Sequence, residues 1–487
     1  MHQKYYAMQY LHFLKSIRVK TLLLWAAPLF YCCPFVVSAK HAKQQSSPHD
    51  FAQPVLDYML IDEGSHIHVD FSFFPPSSRF VVITSKYLEE DLTAVQRSNI
   101  DELVVLDSVD YKNVLSAVKN NARDYSRTCL IAIDESLAPM VAHVRETLGI
   151  PGPSVHEILP FCDKVESKKR LKQSTVHYPK FMPFNPTEFV AHPDQYVQQI
   201  VRTLAFPLII KPRNLAGAHG VRKVSNLQEL RSWCDRYDAS TLKAEYGIET
   251  SFELEEYVDP QTSNFYHCDL ILRHGGIVYT QVSRYAYPCL AVTEGKPIGS
   301  ITLPKDDKQF LNLSHVAAEA IKAFSRHARV PDGVMHMEFF YNEESRQAIF
   351  IESQLRHPGL EVCTAYKQHL GVDWEEIHWR LQIGLPIDLS PHNSLGPYVM
   401  WMYYPTEHGI IDSLQLPQVK GMLHKVQYRI VSGKKTYLPK ALTLCDHCDR
   451  VALRLLVTHK DFKVLWHDFC RLSVFKPYTL KHENHNE

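Results

Sequence analysis

Short apolar runs alternate with helical stretches along the first part of the chain. Each run spans only a few residues and ends in polar residues, which is typical of a strand, and the stretch after it predicts a helix. The predicted pairs of strand and helix are 79–85 with about 88–98, 101–107 with 110–125, and 129–136 with 137–148. Gly149 and Pro151 follow the third helix, as expected where a helix ends. Repeated strand–helix units predict a parallel sheet covered by helices. No GxGxxG follows these strands, so the sheet is predicted to carry no dinucleotide of its own.

From about residue 161 the pattern favours hairpins and longer helices. The predicted elements are a helix over 160–173, a strand over 206–212, a helix over 226–238, a strand over 252–258, a hairpin around 274–276, a helix over 307–328, and strands over 334–341 and 347–356. Asn226 is a plausible N-cap of its helix. The chain continues with short strands and turns and with a helix near 459–470.

The first forty residues differ from the rest of the chain. The basic segment KSIRVK precedes an apolar run over 21–39 that ends in Val-Ser-Ala. This order is typical of a signal peptide, and the run is also close to the about 20 apolar residues that a membrane anchor needs. A third interpretation is that translation starts elsewhere, for example at Met8. The polar stretch 40–50 predicts a linker.

The composition is that of a folded globular protein. Of the 487 residues, 45% are hydrophobic and 22% are charged, which argues against disorder over most of the chain. The 53 Lys and Arg balance the 53 Asp and Glu. Nucleic acid is therefore not predicted as a partner, because phosphate backbones are bound by clustered basic surfaces. A local nucleotide pocket needs only a few cations and stays compatible with this balance.

The 11 cysteines show no regular spacing. That pattern predicts reduced intracellular thiols rather than a disulfide framework. Cys445 and Cys448 form one CxxC, but a zinc site would normally show a second pair of ligands. We interpret them as ordinary thiols.

Acidic side chains lie on both strands of the hairpin that closes at the turn NEES. A turn at this position predicts that His336 lies opposite Glu352 and that Glu338 lies diagonal to Glu352. Alternation along the second strand places Glu352, Gln354 and Arg356 on one face. Neighbouring carboxylates repel unless a cation neutralises them, and Mg²⁺ prefers such oxygen ligands. The hairpin is a candidate metal site, and the alternative is an exposed polar face.

Two further segments are candidates for binding a nucleotide. Lys211 ends an apolar strand, and the loop 213–221 after it is rich in Ala and Gly. Small residues allow backbone N–H groups to approach phosphate, and a lysine adds positive charge. Glu255 and Glu256 end the next strand, where acids could bind ribose hydroxyls or an exocyclic amine. Taken alone, the two segments equally fit an ordinary glycine turn and a solvated strand edge.

The order of these segments resembles the ATP-grasp superfamily. The resemblance is carried by LGIPGPSVHEILPFCDKVESKK, FPLIIKPRNLAGAHGVRKV, ELEEYV and HMEFFYNEESRQAIFIESQLR, and it covers the chain from about residue 55 to its end. Within the superfamily it is most similar to L-amino-acid ligases (dipeptide synthetases), and more distantly to carnosine synthase and biotin carboxylase. It implies an α/β fold, α+β in the ATP-binding part.

The resemblance also implies how the chain is divided. A Rossmann-like domain is followed by an ATP-grasp fold and a small strand-rich C-terminal region. The implied divisions are an apolar segment and linker over 1–50, a strand–helix domain over 51–160, an ATP-grasp domain over 161–390 with its lid at about 206–258, and the C-terminal region over 391–487.

Each candidate residue receives a role from the resemblance. The implied contacts are Lys164 and Lys211 with ATP phosphates; Ala216, Gly217, Gly220 and Val221 in the lid; Glu255, Glu256, Tyr257 and Val258 with adenine and ribose; Glu338, Glu352 and Gln354 with Mg²⁺ or Mn²⁺; and Arg356 with the acyl phosphate or the attacked carboxylate. Lys211 and Arg356 are the implied catalytic residues. Gln354 stands where the superfamily usually has Asn, Asn264 or Phe265 replaces a common acid, and His357-Pro358-Gly359 replaces small residues.

The implied reaction joins a carboxylate and an amine through an acyl phosphate, with release of ADP and phosphate. Amino acids or similar small acids and amines are the expected substrates. Carboxylase-type chemistry and nucleotide binding without turnover stay open as alternatives, as does a membrane-tethered assembly role. ATP chemistry and reduced thiols favour the cytoplasm, while the run 21–39 leaves membrane contact, the envelope and secretion open. A homodimer is also left open.

Overall fold

The structure, a computed structural model, describes residues 54–64, 67–237, 251–389, 396–436 and 451–481. The N-terminal run 21–39 and the motif of Cys445 and Cys448 lie outside these ranges. No helix in the described ranges combines the length and the apolar character that crossing a membrane requires. All seven cysteines within them are free thiols.

The first part of the chain that the structure describes forms a sheet of four parallel strands in the order β3-β2-β1-β4. Its elements are β1 (Asp57–Asp62), β2 (Arg79–Ser85), α1 (Lys86–Asp91), α2 (Ala94–Ser98), β3 (Glu102–Leu106), α3 (Tyr111–Asn121), β4 (Thr128–Ile131) and α4 (Ala138–Leu148). Every residue of β1 is buried, as expected for a central parallel strand covered on both faces. The predicted parallel sheet is confirmed.

The helix predicted over 88–98 is two short helices. Leu92 has an extended backbone and ends α1. The side chain of Thr93 then caps α2, and Gln96 completes a capping box that starts the new helix. Gly149, by contrast, ends α4 in the left-handed conformation, with φ of 69°, as its position predicts.

The next part of the chain builds a small antiparallel sheet in the order β5-β8-β6-β7. Its elements are α5 (Val155–Ile158), α6 (Lys164–Leu171), β5 (Phe181–Pro183), α7 (Pro186–Ala191), α8 (Pro193–Thr203), β6 (Leu208–Pro212), β7 (Arg222–Val224), α9 (Leu227–Asp235) and β8 (Phe252–Glu256). Asn226 caps α9, as predicted, by accepting a hydrogen bond from the Glu229 backbone.

Alternation separates the two faces of this small sheet. Phe252 and Leu254 of β8 pack into an apolar core with α8 and α9. Glu253 and Glu255 therefore project from the opposite face, where Lys211 of β6 joins them.

A larger antiparallel sheet has eight strands in the order β13-β12-β9-β10-β11-β14-β18-β16. The central elements are β9 (Ser263–Arg273), β10 (Gly276–Tyr285), β11 (Ile298–Thr302), α10 (Lys308–Ser325), β12 (Gly333–Asn342), β13 (Gln347–Gln354), α11 (Val362–Leu370) and α12 (Trp374–Gln382). Helix α10 packs on one face through residues such as Leu313 and Phe324. Helices α11 and α12 cover the other face through Tyr366 and Trp374.

The C-terminal elements extend this large sheet. They are β14 (Tyr398–Pro405), β15 (Gly409–Leu414), β16 (Met422–Tyr428), β17 (Lys435–Thr436), β18 (Val451–His459), α13 (Phe462–Leu472) and β19 (Tyr478–Leu480). Strands β14, β18 and β16 continue the eight-stranded sheet, while β15, β17 and β19 form a small sheet of their own. The C-terminal strands thus share a sheet with the hairpin that carries the candidate acids.

An aromatic contact joins the parallel sheet to the rest of the molecule. Trp379 of α12 is fully buried and packs edge-on against Phe71, with ring centroids 5.5 Å apart. Phe74 meets the same indole with centroids 6.3 Å apart. This shared core fixes the ends of the parallel strands relative to the large sheet.

Candidate active site

Two carboxylates face each other across the β12–β13 hairpin. Glu338 lies directly opposite Glu352, and His336 lies opposite Gln354. The predicted register, with His336 opposite Glu352, is therefore wrong. Directly opposed side chains have Cβ atoms about 4.5–5.5 Å apart, closer than the diagonal neighbours predicted. The observed register brings the two acids nearer to each other than the sequence indicates.

The pairing at the turn and a β-bulge each shift the register by one residue from the prediction. Asn342 pairs with Gln347, and the register then shifts between Glu338 and Phe339, so that β13 contains one extra residue. Phe350, before the bulge, packs into the core under α10. Because a shift of one residue turns every later side chain to the other face, Glu352 lies on the face of Glu338 instead of in that core.

Lys164 neutralises Glu352 in this structure. Its Nζ lies 3.2 Å from Glu352 Oε2, and both side chains are largely buried. Burial alone would raise the pKa of Glu352, but the charges of Lys164 and Lys211 outweigh it and hold the pKa below its usual range. The carboxylate is therefore ionised and needs a cationic partner.

Gln354 and Arg356 lie beside Glu352, as alternation predicts. Gln354 Nε2 donates to Glu352 Oε1 at 3.2 Å, and the Arg356 guanidinium donates to Gln354 Oε1. Arg356 Nε also lies 2.6 Å from Glu135 Oε2. Because the amide oxygen of Gln354 is engaged by Arg356, its role as a metal ligand stays a prediction.

Glu338 is held from the opposite side. Its Oε1 accepts a hydrogen bond from the Tyr285 hydroxyl at 3.2 Å, and the Cys289 thiol lies 3.7 Å away. His336 Nε2 is 3.5 Å from the same oxygen. Two opposed carboxylates with an amide beside them offer the oxygen ligands that Mg²⁺ prefers. The ammonium group of Lys164 already places a positive charge beside Glu352.

The second predicted lysine, Lys211, is buried and paired with acids. Its Nζ lies 2.7 Å from Glu255 Oε1 and 3.5 Å from Glu253 Oε1. Burial would lower the pKa of Lys211, but these two carboxylates together with Glu352 raise it above its ordinary value. Glu255 is thus engaged in ion pairs, so its predicted contact with ribose requires a rearrangement.

The loop between β6 and β7 meets the description of a phosphate-binding lid. Gly217, Ala218 and Gly220 all have positive φ, between 57° and 68°. Such a backbone turns N–H groups outward, and glycine adopts it at low cost. Lys164 Nζ donates to the Leu215 carbonyl at 2.5 Å, which ties this loop to the carboxylates. The predicted lid residues Ala216, Gly217, Gly220 and Val221 are all half-buried.

The predicted adenine segment follows β8. Tyr257 N donates to the Pro207 carbonyl at 3.2 Å, and Lys223 Nζ lies 4.0 Å from the centre of its ring. Glu256 and Val258 flank it and are half-buried. The Tyr257 amide is therefore occupied, and its carbonyl and the Val258 backbone are what this segment can offer to a base.

Sequence reasoning missed a buried ion-pair network beneath Lys211. Lys168 Nζ lies 2.7 Å from Glu253 Oε1 and 2.5 Å from Glu255 Oε2, and neither Lys168 nor Glu253 has any exposed side-chain surface. The spacing of the lysines and of the acids along the chain could have indicated this network. Lys168 is four residues after Lys164, on the same face of α6, and Glu253 shares a strand face with Glu255.

A second missed partner is Glu135, which pairs with Arg356. It follows β4 at the carboxyl end of the parallel sheet, and its ion pair with Arg356 bridges 221 positions of sequence. Asp134 beside it is half-buried, and desolvation together with the charge of Asp62 raises its pKa. Nothing local in the sequence indicates that the arginine and this loop meet.

A third missed group lies behind Glu338. Among the described residues, His267, Asp269 and His336 are a set with nitrogen and oxygen atoms within 4.8 Å of one another. Burial would lower the pKa of His336, but Asp269 raises it to about 9. His267 and His336 also hold the pKa of Asp269 well below its usual range, despite the opposing effect of burial.

Part of the chain is similar in sequence to known proteins. Residues 171–258 match the family described as D-ala D-ala ligase C-terminus. An L-arginine-specific L-amino acid ligase of Bacillus subtilis is 23% identical over 278 residues, which are 55% of this chain and 60% of the relative. A D-alanine–D-alanine ligase of Staphylococcus carnosus is 24% identical over 48% of this chain and 64% of its own length. The chain therefore spans less than two thirds of these relatives.

Solved structures share the fold over most of the chain. An L-amino acid ligase from Bacillus licheniformis superposes with a TM-score of 0.60 and 15% identity, covering 86% of this chain and 97% of that one. The biotin carboxylase domain of a Hydrogenobacter thermophilus 2-oxoglutarate carboxylase, solved with MgADP and bicarbonate, gives 0.55 and 15%, covering 88% and 91%. At these identities the likeness concerns the fold.

Proposed function

The chain has the ATP-grasp fold, as the sequence predicts, and from that premise we propose that it is an ATP-dependent carboxylate–amine ligase. The observation that carries the proposal is the opposed pair Glu338 and Glu352, with Lys164, Lys211 and Arg356 around it. Phosphoryl transfer needs in-line positioning and neutralised charge rather than covalent help from the protein, and these residues supply both.

In the proposed reaction, a substrate carboxylate attacks the γ-phosphorus of ATP, which breaks the bond to the bridging oxygen, releases ADP and forms an acyl phosphate. An amine then attacks the acyl carbon, loses a proton and releases phosphate, which leaves the amide. Lys164 and Lys211 bind the ATP phosphates, and the loop 213–221 closes over them to exclude water. Arg356 stabilises the acyl phosphate. Glu338 and Glu352, with Gln354, would hold Mg²⁺ or Mn²⁺, and the ion would supply positive charge against the charge that develops on the phosphates. Adenine lies against the segment that starts at Glu256.

Binding of ATP requires the lysines to change partners. Lys164 has to leave Glu352 and the Leu215 carbonyl, which would free the Glu352 carboxylate to hold a metal ion. Glu253 and Glu255 keep a cationic partner when Lys211 turns toward phosphate, because Lys168 also pairs with both of them. In the ligand-free network each of these carboxylates is thus paired with a lysine.

Amino acids are the proposed substrates for both the acid and the amine. The names of two relatives support this choice. One is an L-arginine-specific L-amino acid ligase, and the other is a D-alanine–D-alanine ligase. Carboxylase-type chemistry is the second candidate, because the fold is shared with a biotin carboxylase domain. We propose the cytoplasm as its location, where ATP is abundant and the free thiols stay reduced.

The deciding experiment is a screen for ADP and phosphate release with pairs of amino acids, ATP and Mg²⁺. A ligase releases both products only when acid and amine are present together. Release with bicarbonate alone would instead support carboxylase-type chemistry. ATP binding without release across the whole screen would indicate a nucleotide-binding protein that does not turn over.

Replacing Lys211 by alanine is expected to lower amine-dependent ADP release by at least about 100-fold, because one positive charge beside the transferred phosphoryl group is lost. The fold should survive, since Lys168 still pairs with Glu253 and Glu255. Coupled ADP-release assays and a thermal melt give the two readouts. Lys322→Ala, on the exposed face of α10, is the control and should keep wild-type turnover. Full activity in Lys211→Ala would contradict the assigned role.

A further inference from the structure

The carboxylate of Asp269 is surrounded by donors in the interior of the large sheet. Asp269 on β9 pairs directly with His336 on β12. Asp269 Oδ1 lies 2.6 Å from His336 Nδ1, and Asp269 Oδ2 lies 2.6 Å from His267 Nδ1. The Tyr366 hydroxyl of α11 also donates to Oδ2. Asp269 and His267 have no exposed surface, so this is a rigid part of the core.

The network ends at Ser300 and Trp401 on one side and at Glu338 on the other. His267 Nε2 contacts Ser300 Oγ at 2.9 Å, and Trp401 Nε1 donates to the same oxygen at 2.9 Å. At the near end, His336 Nε2 points at Glu338 Oε1 from 3.5 Å. His336 and Glu338 lie two residues apart on β12 and therefore share a face.

His336 consequently stands between two carboxylates. Each of its ring nitrogens faces a carboxylate oxygen, Nδ1 that of Asp269 and Nε2 that of Glu338. Hydrogen-bond partners behind a metal ligand orient that ligand, and their loss typically lowers metal affinity by about 10–100-fold. The position of Glu338 is thus coupled to Asp269 through a single ring.

We propose that Asp269 and His336 form a positioning pair that orients the Glu338 carboxylate toward the bound metal ion. The inference rests on the proposed function, because it takes Glu338 as a metal ligand. Tyr366, Ser300 and Trp401 fix the pair from the core side. His336 is a positioning residue here and touches neither ATP nor the reacting carboxylate.

Direct titration of Mn²⁺ into the full chain in the presence of ADP, followed by electron paramagnetic resonance, tests this pair without turnover. In His336→Leu the Mn²⁺ dissociation constant is expected to rise by about 10–100-fold. His336→Gln, which keeps one donor, should lie between His336→Leu and wild type. Asp269→Asn should weaken binding, and adding it to His336→Leu should cost little more, since both changes break one path.

The matched control is His369→Gln. His369 is also fully buried, and its Nδ1 contacts the Pro397 carbonyl at 3.0 Å, away from Glu338. It should lose stability without losing Mn²⁺ affinity, which separates positioning from a general structural effect. If His336→Leu fails to fold, His336→Gln and Asp269→Asn carry the test.

Three results would overturn the proposal, and each is distinct from failure of the ligase assignment. Wild-type Mn²⁺ affinity in a folded His336→Leu variant would remove the positioning role. An equal loss of affinity in His369→Gln would make the effect structural. If the wild-type protein binds two equivalents of Mn²⁺ and His336→Leu binds only one, the group of His267, Asp269 and His336 binds metal itself. Wild-type protein that binds Mn²⁺ and ADP but never releases ADP from ATP would contradict only the ligase proposal.

Discussion

Replacing Glu352 by alanine is expected to lower amine-dependent ADP release by at least about 1,000-fold. Glu352 is the carboxylate that faces Glu338, and its lowered pKa shows that it is ionised at neutral pH. Its removal leaves Glu338 as the single one of the two opposed carboxylates that could hold a metal ion. The positive charges of Lys164 and Lys211 would then repel a metal ion at this position. Release of ADP, followed with saturating ATP and Mg²⁺, measures this loss.

The matched control for this change lies on the same hairpin. Glu344 is exposed at the turn, so Glu344→Gln removes one carboxylate charge while leaving the opposed acids in place. It should turn over like the wild type. Glu352→Ala should remain folded, because Lys164 keeps the Leu215 carbonyl as a partner. Wild-type turnover in Glu352→Ala would contradict the site.

Lys168→Met is expected to cause the largest loss of stability, about 3–5 kcal/mol in the free energy of unfolding. Lys168 is fully buried and neutralises both Glu253 and Glu255. Without it, two buried carboxylates depend on Lys211 alone, and breaking a buried ion pair from one side leaves an uncompensated charge. Urea unfolding followed by circular dichroism measures the difference.

The neighbouring residue provides the control. Lys169 is 55% exposed on the same helix and pairs with Glu166 three residues earlier, so Lys169→Met should change stability by less than about 1 kcal/mol. Adding Glu253→Gln to Lys168→Met should recover part of the loss, since it removes one of the uncompensated charges. A Lys168→Met variant as stable as the wild type would show that the network is solvated in solution.

These two changes separate chemistry from architecture within one site. Glu352 and Lys211 belong to the group that we propose to bind metal and phosphate, whereas Lys168 and Glu253 form a buried ion pair beside Lys211. Loss of activity without loss of stability is therefore expected when Glu352 or Lys211 is replaced. Loss of stability without a direct effect on metal binding is expected when Lys168 or Glu253 is replaced.

Local patterns predicted most of the elements. The strand 79–85 and the parallel sheet that contains it follow from apolar runs between polar turns. The Asn226 cap of α9 and the left-handed Gly149 follow from side-chain and backbone chemistry at single positions. The division of 88–98 into two helices could also be read from Thr93 and Gln96, which form a capping box.

Non-local contacts explain what the sequence analysis missed. The bulge between Glu338 and Phe339 decides which face Glu352 occupies, and a single inserted residue leaves no mark in the hydrophobic alternation of so short a strand. The pair of His336 and Asp269 depends on β12 lying beside β9. Strand order in a sheet is set by packing over the whole molecule.

The sequence by itself determined the identity and order of the charged groups: two lysines, a loop of small residues, and acids on a hairpin that ends in Arg356. Those features are local, because residue type, spacing and turn chemistry act over a few positions. Only the tertiary structure decided that Glu338 opposes Glu352, that Lys168 lies beneath Lys211, and that Arg356 meets Glu135. These pairings join residues that are distant along the chain, or depend on strand register, and the burial of apolar side chains on both sheets brings them together.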